Sequence, residues 1–315
     1  MKISIIGAGQ VGATLAMRIL EKELGEVVLL DVVKGIPQGK ALDLNEAGPL
    51  SGYEPRLFGT QDYEYLRGSD MVVITAGFPR QPGMSREELL AKNLDIVSKV
   101  TAKIVSVSPR AIIIVVTNPL DLMTYAVYKI SGFTRERVLG MGGVLDGARF
   151  AYFISDKLKV SVRDISPVVI GSHADTMIPL PRFTTVAGVP LTHHLEEKEI
   201  KGLVERTQKG GAEIVSLLGT GSAYYAPSAA ALRLIESIVY NRPHILPCSI
   251  FLKGEYGLKD ICLGVPVKLG PEGVREVIEL RLNAGEQKLL RHSAGTVRPG
   301  VKDIDAKLKN YGKIL

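Results

Sequence analysis

The segment KISIIGAGQVG, residues 2–12, decides the fold of this chain. A short β-branched run is followed at once by Gly7, Gly9 and Gly12 in the spacing G-x-G-x-x-G, and then by a helix-period segment. In such a strand–turn–helix unit the first glycine permits a tight turn and the second lets the backbone approach a pyrophosphate. The third glycine lets the helix pack on the strand, and the amides at the helix N-terminus then receive the phosphates.

A carboxylate at the end of the next predicted strand completes the pattern. A glycine-rich turn alone can be purely structural, so this second feature matters. Asp31 ends the run EVVLLD, about twenty residues after the glycines, where a carboxylate accepts hydrogen bonds from the adenosine ribose. The same charge repels a 2′-phosphate. The sequence therefore predicts a dinucleotide-binding unit that prefers NAD to NADP.

Apolar runs alternate with helix-period segments through the first half of the chain. DMVVITAG (70–77) and AIIIVVTN (111–118) are continuous apolar runs, as expected of strands that are buried on both faces. The alternation predicts an α/β fold whose N-terminal Rossmann domain, residues 1–142, has a doubly wound parallel sheet. Ligands of such sheets bind at the carboxyl ends of the strands.

The pattern changes after Gly142. Three long helical segments, 196–218, 227–240 and 271–292, surround a group of strand-like runs. This mixture predicts a C-terminal α+β substrate domain, residues 143–315. The Lys-rich tail 301–315 is predicted to be a solvated extension.

The composition of the chain excludes several classes of protein. Net charge is +6 over 315 residues, but the basic residues are interleaved with acidic ones, which argues against a nucleic-acid partner. No apolar run reaches the length of a membrane span. Because a strand begins at the second residue, the sequence predicts no signal peptide and a cytoplasmic protein.

The two cysteines, Cys248 and Cys262, lack the spacing of a zinc site, and no metal is expected. Both lie in apolar segments. They are predicted to be buried free thiols of a reducing compartment, with a structural disulfide as the alternative.

One histidine stands among polar residues at an apparent strand end. His173, in GSHADTMIP, could be an ordinary surface residue of a turn. A dehydrogenase, however, needs a group that accepts a hydroxyl proton, and imidazole suits that task near neutral pH. Asp146 and Arg149, in VLDGARF, share one helix face, so the carboxylate could orient this imidazole while the guanidinium points into the same cleft. An ordinary intrahelical ion pair is the alternative.

Two arginines flank the breakers of the segment TAGFPRQPGMSR, residues 75–86. Arg80 and Arg86 follow a predicted buried strand. Pro79, Pro82 and Gly83 interrupt any regular structure around them. The sequence therefore predicts a mobile loop at the end of a buried strand that carries two guanidinium groups.

At this point the chain resembles the lactate/malate dehydrogenase family, and within it the lactate-dehydrogenase-like malate dehydrogenases. The resemblance runs in order through six motifs: GAGQVG, LLD, ITAGFPRQPGMSR, VTNPLD, VLDGARF and GSHADTMIP. It covers nearly the whole chain. It implies an NAD-dependent oxidoreductase that acts on a small 2-hydroxy acid and typically forms tetramers in this branch or dimers in another.

The resemblance also implies a role for each site residue. His173 would accept the proton and Asp146 would orient it. Arg149 would hold the C1 carboxylate of the substrate in a bidentate fork. The loop that carries Arg86 would be a lid, and Arg86 would polarise the C2 carbonyl when this lid closes. Asn118 would orient the substrate beside the nicotinamide. The expected cofactor-binding residues are Gly7, Gly9, Gln10, Val11, Gly12, Asp31, Thr75, Ala76, Gly77, Asn93, Thr117 and Asn118.

Arg80 occupies the position that faces the far end of the substrate in this family. Lactate-type members tend to carry Gln there and malate-type members Arg, so the resemblance implies a dicarboxylate, malate or oxaloacetate. One residue departs from the pattern: the family usually has Gly after the catalytic histidine, and this chain has Ala174. If that position required positive φ, the alanine would strain the backbone.

Two alternatives stay open at this stage. The enzyme could prefer a different hydroxy acid, such as lactate, which the relative rates with pyruvate and oxaloacetate would decide. The chain could instead be a non-catalytic NAD-binding protein, since a fold does not determine a function. Against this stands the joint presence of His173, Asp146, Arg86 and Arg149.

Overall fold

A computed structural model describes residues 1–78 and 85–311, apart from the side chains of Arg86, Asn310 and Tyr311. The helices within these residues are α1 (Gln10–Glu21), α2 (Ile36–Ser51), α3 (Arg86–Val107), α4 (Leu120–Ser131), α5 (Gly143–Leu158), α6 (Glu197–Leu218), α7 (Tyr225–Val239) and α8 (Ala284–Tyr311). The strands are β1 (Lys2–Ile6), β2 (Glu26–Leu30), β3 (Leu57–Thr60), β4 (Met71–Ile74), β5 (Ile112–Val115), β6 (Val138–Gly140), β7 (Ile165–Ser166), β8 (Val169–Ile170), β9 (Ile178–Pro179), β10 (Thr185–Val186), β11 (Val189–Pro190), β12 (Ile245–Lys253), β13 (Lys259–Gly270) and β14 (Gly273–Val277).

The N-terminal half forms a parallel sheet in the order β3-β2-β1-β4-β5-β6. This is the Rossmann order, in which the chain reverses direction across the sheet between β1 and β4. The apolar runs of β4 and β5 are buried along their whole length because helices cover both faces. The predicted doubly wound α/β fold is confirmed.

The C-terminal strands continue the same sheet rather than forming a separate one. β12 pairs with β6 through Ser249 and Gly140, and β13 and β14 follow in antiparallel pairs. Smaller sheets, β11-β10-β7 and β8-β9, lie apart from it. We propose the domain boundary between residues 142 and 143, in the turn that joins β6 to α5.

The segment 271–292 is not the single helix that the sequence predicts. Gly273 has φ +103° at the turn between β13 and β14, and a Cβ there would collide with the carbonyl of Glu136. The residues after it, V-R-E-V, pair with β13 as an edge strand. The helix α8 starts only at Ala284.

The Lys-rich tail is not a solvated extension over 301–311, because α8 continues through it. Val301 and Ile304 are buried, and Asp305 accepts a hydrogen bond of 2.8 Å from the Tyr125 hydroxyl. The lysines form the outer face of this last helix. Residues 312–315 lie outside the described residues.

Cys248 and Cys262 are both free and buried, as predicted. Burial raises the pKa of both thiols, so they stay protonated and behave as small apolar residues of the core.

Candidate active site

The glycine-rich turn has the geometry that its spacing predicts. Gly7 has φ +110°, and a Cβ on it would lie 2.6 Å from the amide nitrogen of Ala76. A Cβ on Gly12 would overlap the carbonyl of Gly7, so only glycine allows α1 to pack this closely on the turn. Gly9, the N-cap of α1, faces open space. The turn therefore leaves its amides accessible at the side where a pyrophosphate would bind.

Asp31 stabilises this turn as well as facing the expected ribose position. Its Oδ2 accepts the Ala8 amide at 2.7 Å, and its Oδ1 accepts the Val33 amide at 3.0 Å. Lys40, on α2, donates from Nζ to the Ala8 carbonyl at 2.7 Å. The carboxylate is thus held rigidly at the end of β2, beside the glycine turn.

Two threonines tie the carboxyl ends of β1, β4 and β5 together. Thr75 Oγ1 donates to the Gly7 carbonyl at 2.9 Å, and Thr117 Oγ1 donates to the Ala76 carbonyl at 2.7 Å. Gly77 lies against Thr117, where a Cβ would be 2.5 Å from the Thr117 methyl carbon. Their side chains position the backbone of the expected cofactor site.

Asn93, buried on α3, connects two loops. Its Oδ1 accepts the Phe78 amide at 2.6 Å, and its Nδ2 donates to the Asn118 carbonyl at 2.6 Å. Phe78 is the last described residue before the predicted lid, and Asn118 itself is exposed at the end of β5. The side-chain amide of Asn93 therefore fixes the position of Phe78 relative to Asn118.

His173 and Asp146 meet as the sequence predicts. His173 Nδ1 lies 2.8 Å from Asp146 Oδ2, and Asp146 Oδ1 lies 3.3 Å from Arg149 Nη1. Asp146 and Arg149 are one turn apart on α5, while His173 follows β8. Burial lowers the pKa of His173, but the charge and the hydrogen bond of Asp146 outweigh it, so the pKa is raised overall.

Arg149 carries a buried donor without a protein partner. Among the described residues, its Nε is one of two buried side-chain N or O atoms that make no hydrogen bond. Burial lowers the pKa of this guanidinium, and Asp146 only partly offsets that effect. Such an unpaired donor is costly unless a ligand meets it. An anionic group at this place would satisfy it.

The helix α6 leaves space for Arg149 through a pair of glycines that the sequence reasoning did not identify. A Cβ on Gly210 would lie 3.3 Å from Arg149 Cδ, and one on Gly211 would lie 3.6 Å from its Nη2. Adjacent glycines in the middle of a predicted helix were the available signal, because they lower helix propensity without an obvious local reason.

Asp121 is a second buried carboxylate that the sequence reasoning missed. It lies in the first turn of α4, where its Oδ2 accepts the His173 amide at 2.8 Å and its Oδ1 accepts the Ser249 hydroxyl at 2.6 Å. The residue is contained in the motif VTNPLD, but its partners are far away in the chain.

Ala174 is not strained. Among the described residues six that are not glycine have positive φ, and Ala174 is not one of them. Its amide donates to the Ser172 carbonyl at 2.8 Å, and its carbonyl accepts the Met177 amide at 2.9 Å. The condition under which this alanine would strain the backbone is therefore not met.

Most of the predicted lid lies outside the described residues. Arg80 lies outside the described residues, and Arg86 is described only as the first residue of α3. That helix begins with a capping box, in which Ser85 Oγ accepts the Glu88 amide at 3.0 Å and Glu88 Oε2 accepts the Ser85 amide at 2.9 Å. The capping box fixes the start of α3, so that Arg86 is the first residue of the helix.

Family models match both halves of this fold. Residues 1–140 match the lactate/malate dehydrogenase NAD binding domain, and residues 143–308 match the lactate/malate dehydrogenase alpha/beta C-terminal domain. The chain belongs to the lactate/malate dehydrogenase family. Its N-terminal half is the NAD-binding domain, and NAD is the cofactor.

Malate and lactate dehydrogenases are similar to this chain over nearly their full length. The chain is 53% identical over 310 residues to a malate dehydrogenase of Chloroherpeton thalassium, covering 98% of this chain and 100% of the relative. The structure of malate dehydrogenase from Salinibacter ruber aligns with TM-score 0.93 at 49% identity, covering 99% of this chain and 100% of that one. A Cryptosporidium parvum lactate dehydrogenase with bound lactic acid and NAD aligns with TM-score 0.93 at 39% identity, covering 96% and 98%.

No helix in residues 1–78 or 85–311 is both long and apolar enough to cross a bilayer. The same parts of the chain contain no group of three or more His, Cys, Asp or Glu side chains arranged to hold a metal ion.

Proposed function

We propose that this protein is an NAD-dependent malate dehydrogenase that interconverts (S)-malate and oxaloacetate. The observation that supports it most directly is the His173–Asp146 pair, with Nδ1 and Oδ2 2.8 Å apart, beside the buried guanidinium of Arg149. This arrangement supports the assignment of a proton acceptor next to a carboxylate-binding group. The nicotinamide of bound NAD supplies the acceptor for the hydride that leaves C2 of malate.

His173 handles the proton in this reaction. Because Asp146 engages Nδ1, Nε2 is the nitrogen left to face the substrate and to take the hydroxyl proton as the C2 carbonyl forms. Asp146 then stabilises the imidazolium, as a carboxylate does in related triads. In the reverse direction the protonated His173 returns this proton to the C2 oxygen.

Arg149, Asn118 and Arg86 position the substrate. Arg149 pairs with the C1 carboxylate of the substrate. This carboxylate accepts a hydrogen bond from the otherwise unpaired Nε of Arg149. Asn118 orients the substrate from the end of β5. Arg86, at the start of α3, polarises the C2 oxygen when the lid closes and excludes water.

Arg80 selects the dicarboxylate. We assign it to the C4 carboxylate, since a second guanidinium in the lid matches a second negative charge on the substrate. The malate dehydrogenases named above are also more similar in sequence to this chain, at 53% and 49% identity, than the lactate dehydrogenase at 39%.

The test is the oxidation of NADH followed by absorbance with oxaloacetate and with pyruvate. Malate dehydrogenase activity requires a higher kcat/KM for oxaloacetate. A higher kcat/KM for pyruvate would make the enzyme a lactate dehydrogenase. Turnover with neither, despite measurable NADH binding, would favour a non-catalytic NAD-binding protein.

We propose further that the enzyme is a cytoplasmic homo-oligomer of the tricarboxylic acid cycle, with a tetramer favoured over a dimer. Large apolar side chains are exposed on α2, at the end of α6 and at the start of α7, among them Leu50 (90%), Leu217 (81%) and Tyr225 (64%). Exposed apolar side chains favour an interface where they form one contiguous patch. Light scattering after size exclusion tests the assignment, and a monomer at micromolar concentration would contradict it.

A further inference from the structure

The catalytic histidine is held at two points by two different carboxylates. Asp146, on α5, engages the ring at Nδ1, and Asp121, on α4, accepts the backbone amide of the same residue. Asp121 is almost completely buried, and its other oxygen is occupied by the Ser249 hydroxyl of β12. It therefore connects the N-terminal domain to the histidine and to the sheet of the C-terminal half.

The backbone before His173 is already fixed by neutral acceptors. The Gly171 amide donates to the Gly264 carbonyl at 2.8 Å, and the Ser172 amide donates to Ser293 Oγ at 2.9 Å. A neutral side chain could hold the next amide equally well, without the cost of burying a charge. What distinguishes Asp121 from these acceptors is its negative charge.

We propose that Asp121 is a positioning residue for the reaction, which fixes the His173 amide and places a second negative charge beside the His173–Asp146 pair. Burial raises the pKa of Asp121 to about 6, so the carboxylate is mostly ionised at neutral pH. Its charge favours the protonated form of His173, whereas that of Arg149 opposes it. On β13, burial raises the pKa of the Cys262 thiol, and the charge of Asp121 raises it further, so this neighbour stays protonated and neutral.

Asp121→Asn separates charge from geometry, because an amide can still accept the His173 amide and donate to Ser249. The proposal rests on the proposed function, in which malate oxidation needs neutral His173 and oxaloacetate reduction needs the protonated form. The profiles of kcat/KM against pH in both directions are the measurement. Each profile has one limb, the pH range over which the rate changes as His173 titrates. Loss of the negative charge at Asp121 should move both limbs to lower pH. At a pH above the limb, kcat/KM for oxaloacetate reduction should then be about threefold or more below that of the parent enzyme.

The matched control is Asp305→Asn. Asp305 also accepts a hydrogen bond, but from the Tyr125 hydroxyl on α4 rather than from the histidine. Its pH limbs should stay in place. Limbs that stay in place in folded Asp121→Asn as well would overturn the proposal, whatever happens to kcat. A purely structural residue would lower kcat at every pH without moving either limb.

Ser249→Ala provides a second measurement if Asp121→Asn does not fold. The alanine removes one donor that favours ionised Asp121 and keeps the carboxylate, so a smaller displacement in the same direction is expected. No displacement would then overturn the inference. His173→Asn distinguishes this failure from that of the proposed function: if that variant stays active, the assignment of the base itself is wrong.

Discussion

Asp146 and His173 are 27 residues apart in the chain, yet Oδ2 of one and Nδ1 of the other are 2.8 Å apart. The start of α5 allows this approach. Gly142 precedes the helix, and a Cβ there would lie 3.3 Å from His173 Cβ, closer than nearly all such contacts in proteins. The buried pair favours the imidazolium form, which a proton acceptor must be able to adopt during turnover.

His173→Asn is expected to lower kcat by roughly 10² to 10⁴, because the reaction loses its general base. Binding of NADH, followed by fluorescence, should persist. Asp146→Asn should also lower kcat, since the amide favours the wrong imidazole tautomer. Asp156→Asn is the control, because this residue of α5 is exposed and pairs with Lys159 at the surface of the helix. If His173→Asn keeps more than about half of the activity, another residue is the base.

Asp121→Asn is expected to stabilise the fold at neutral pH while it alters activity. Burial raises the pKa of Asp121 to about 6, although the hydrogen bonds of Ser249 and His173 oppose this. A carboxyl group whose pKa is raised on folding favours the folded state while it is protonated. That contribution is complete below the unfolded pKa of about 4 and is lost as pH rises through about 6, at a cost of about 3 kcal/mol at pH 7.

The measurement is the free energy of unfolding in urea for the parent and Asp121→Asn at pH 7.5 and pH 5. The variant should be more stable at pH 7.5, and the gap should narrow at pH 5, where the parent carboxyl is mostly protonated. A parent protein that is more stable at both pH values would show that the ionised carboxylate is well compensated by its partners.

The features that depend on neighbouring residues could be predicted from the sequence. The turn at Gly7 and Gly12 needs only local sterics, and the sharing of one face by Asp146 and Arg149 follows from helix geometry. The predicted helix 271–292 is wrong because its structure depends on residues that are distant in the chain. A contact between Gly273 and the distant Glu136 carbonyl, together with pairing to β13, overrides a helix-like composition.

Long-range contacts explain what the site reasoning missed. Asp121 meets Ser249 across 128 residues and His173 across 52, and no spacing rule connects them. The sequence did not predict the end of α8 because its many lysines, which face outward, dominate the composition there. The apolar stripe to which the buried Val301 and Ile304 belong has only a few members.

Asp31 is expected to make NADH at least tenfold better than NADPH in kcat/KM, since about 1.4 kcal/mol of repulsion toward the 2′-phosphate suffices. Asp31→Ser should narrow this gap. Because Asp31 also accepts the Ala8 amide at 2.7 Å, the variant should bind NADH more weakly as well.

Lys40→Met is the matched control for Asp31→Ser. It removes the donor to the Ala8 carbonyl and leaves Asp31 in place, so it should weaken cofactor binding without narrowing the preference for NADH. Equal kcat/KM for NADH and NADPH in the parent enzyme would refute the assignment of Asp31.

Arg80→Gln is expected to lower kcat/KM for oxaloacetate by roughly 30-fold or more. Removing one partner of a desolvated charge pair costs about 2 to 5 kcal/mol, mostly because the other charge is left unpaired. Pyruvate should gain, because the neutral amide no longer buries a guanidinium opposite a methyl group. Arg80 lies outside the described residues, so the sequence and the family carry this prediction.

If Arg80 only attracted anions from a distance, both substrates would weaken together and added salt would mask the loss. Lys92→Gln is the control for that effect, because Lys92 is an exposed cation of α3 that lies over the Phe78 ring at the base of the lid. It should change both substrates by the same factor. The decisive quantity is the ratio of kcat/KM for oxaloacetate to that for pyruvate, measured at low and high salt. A ratio that Arg80→Gln leaves unchanged would mean that Arg80 does not bind the second carboxylate.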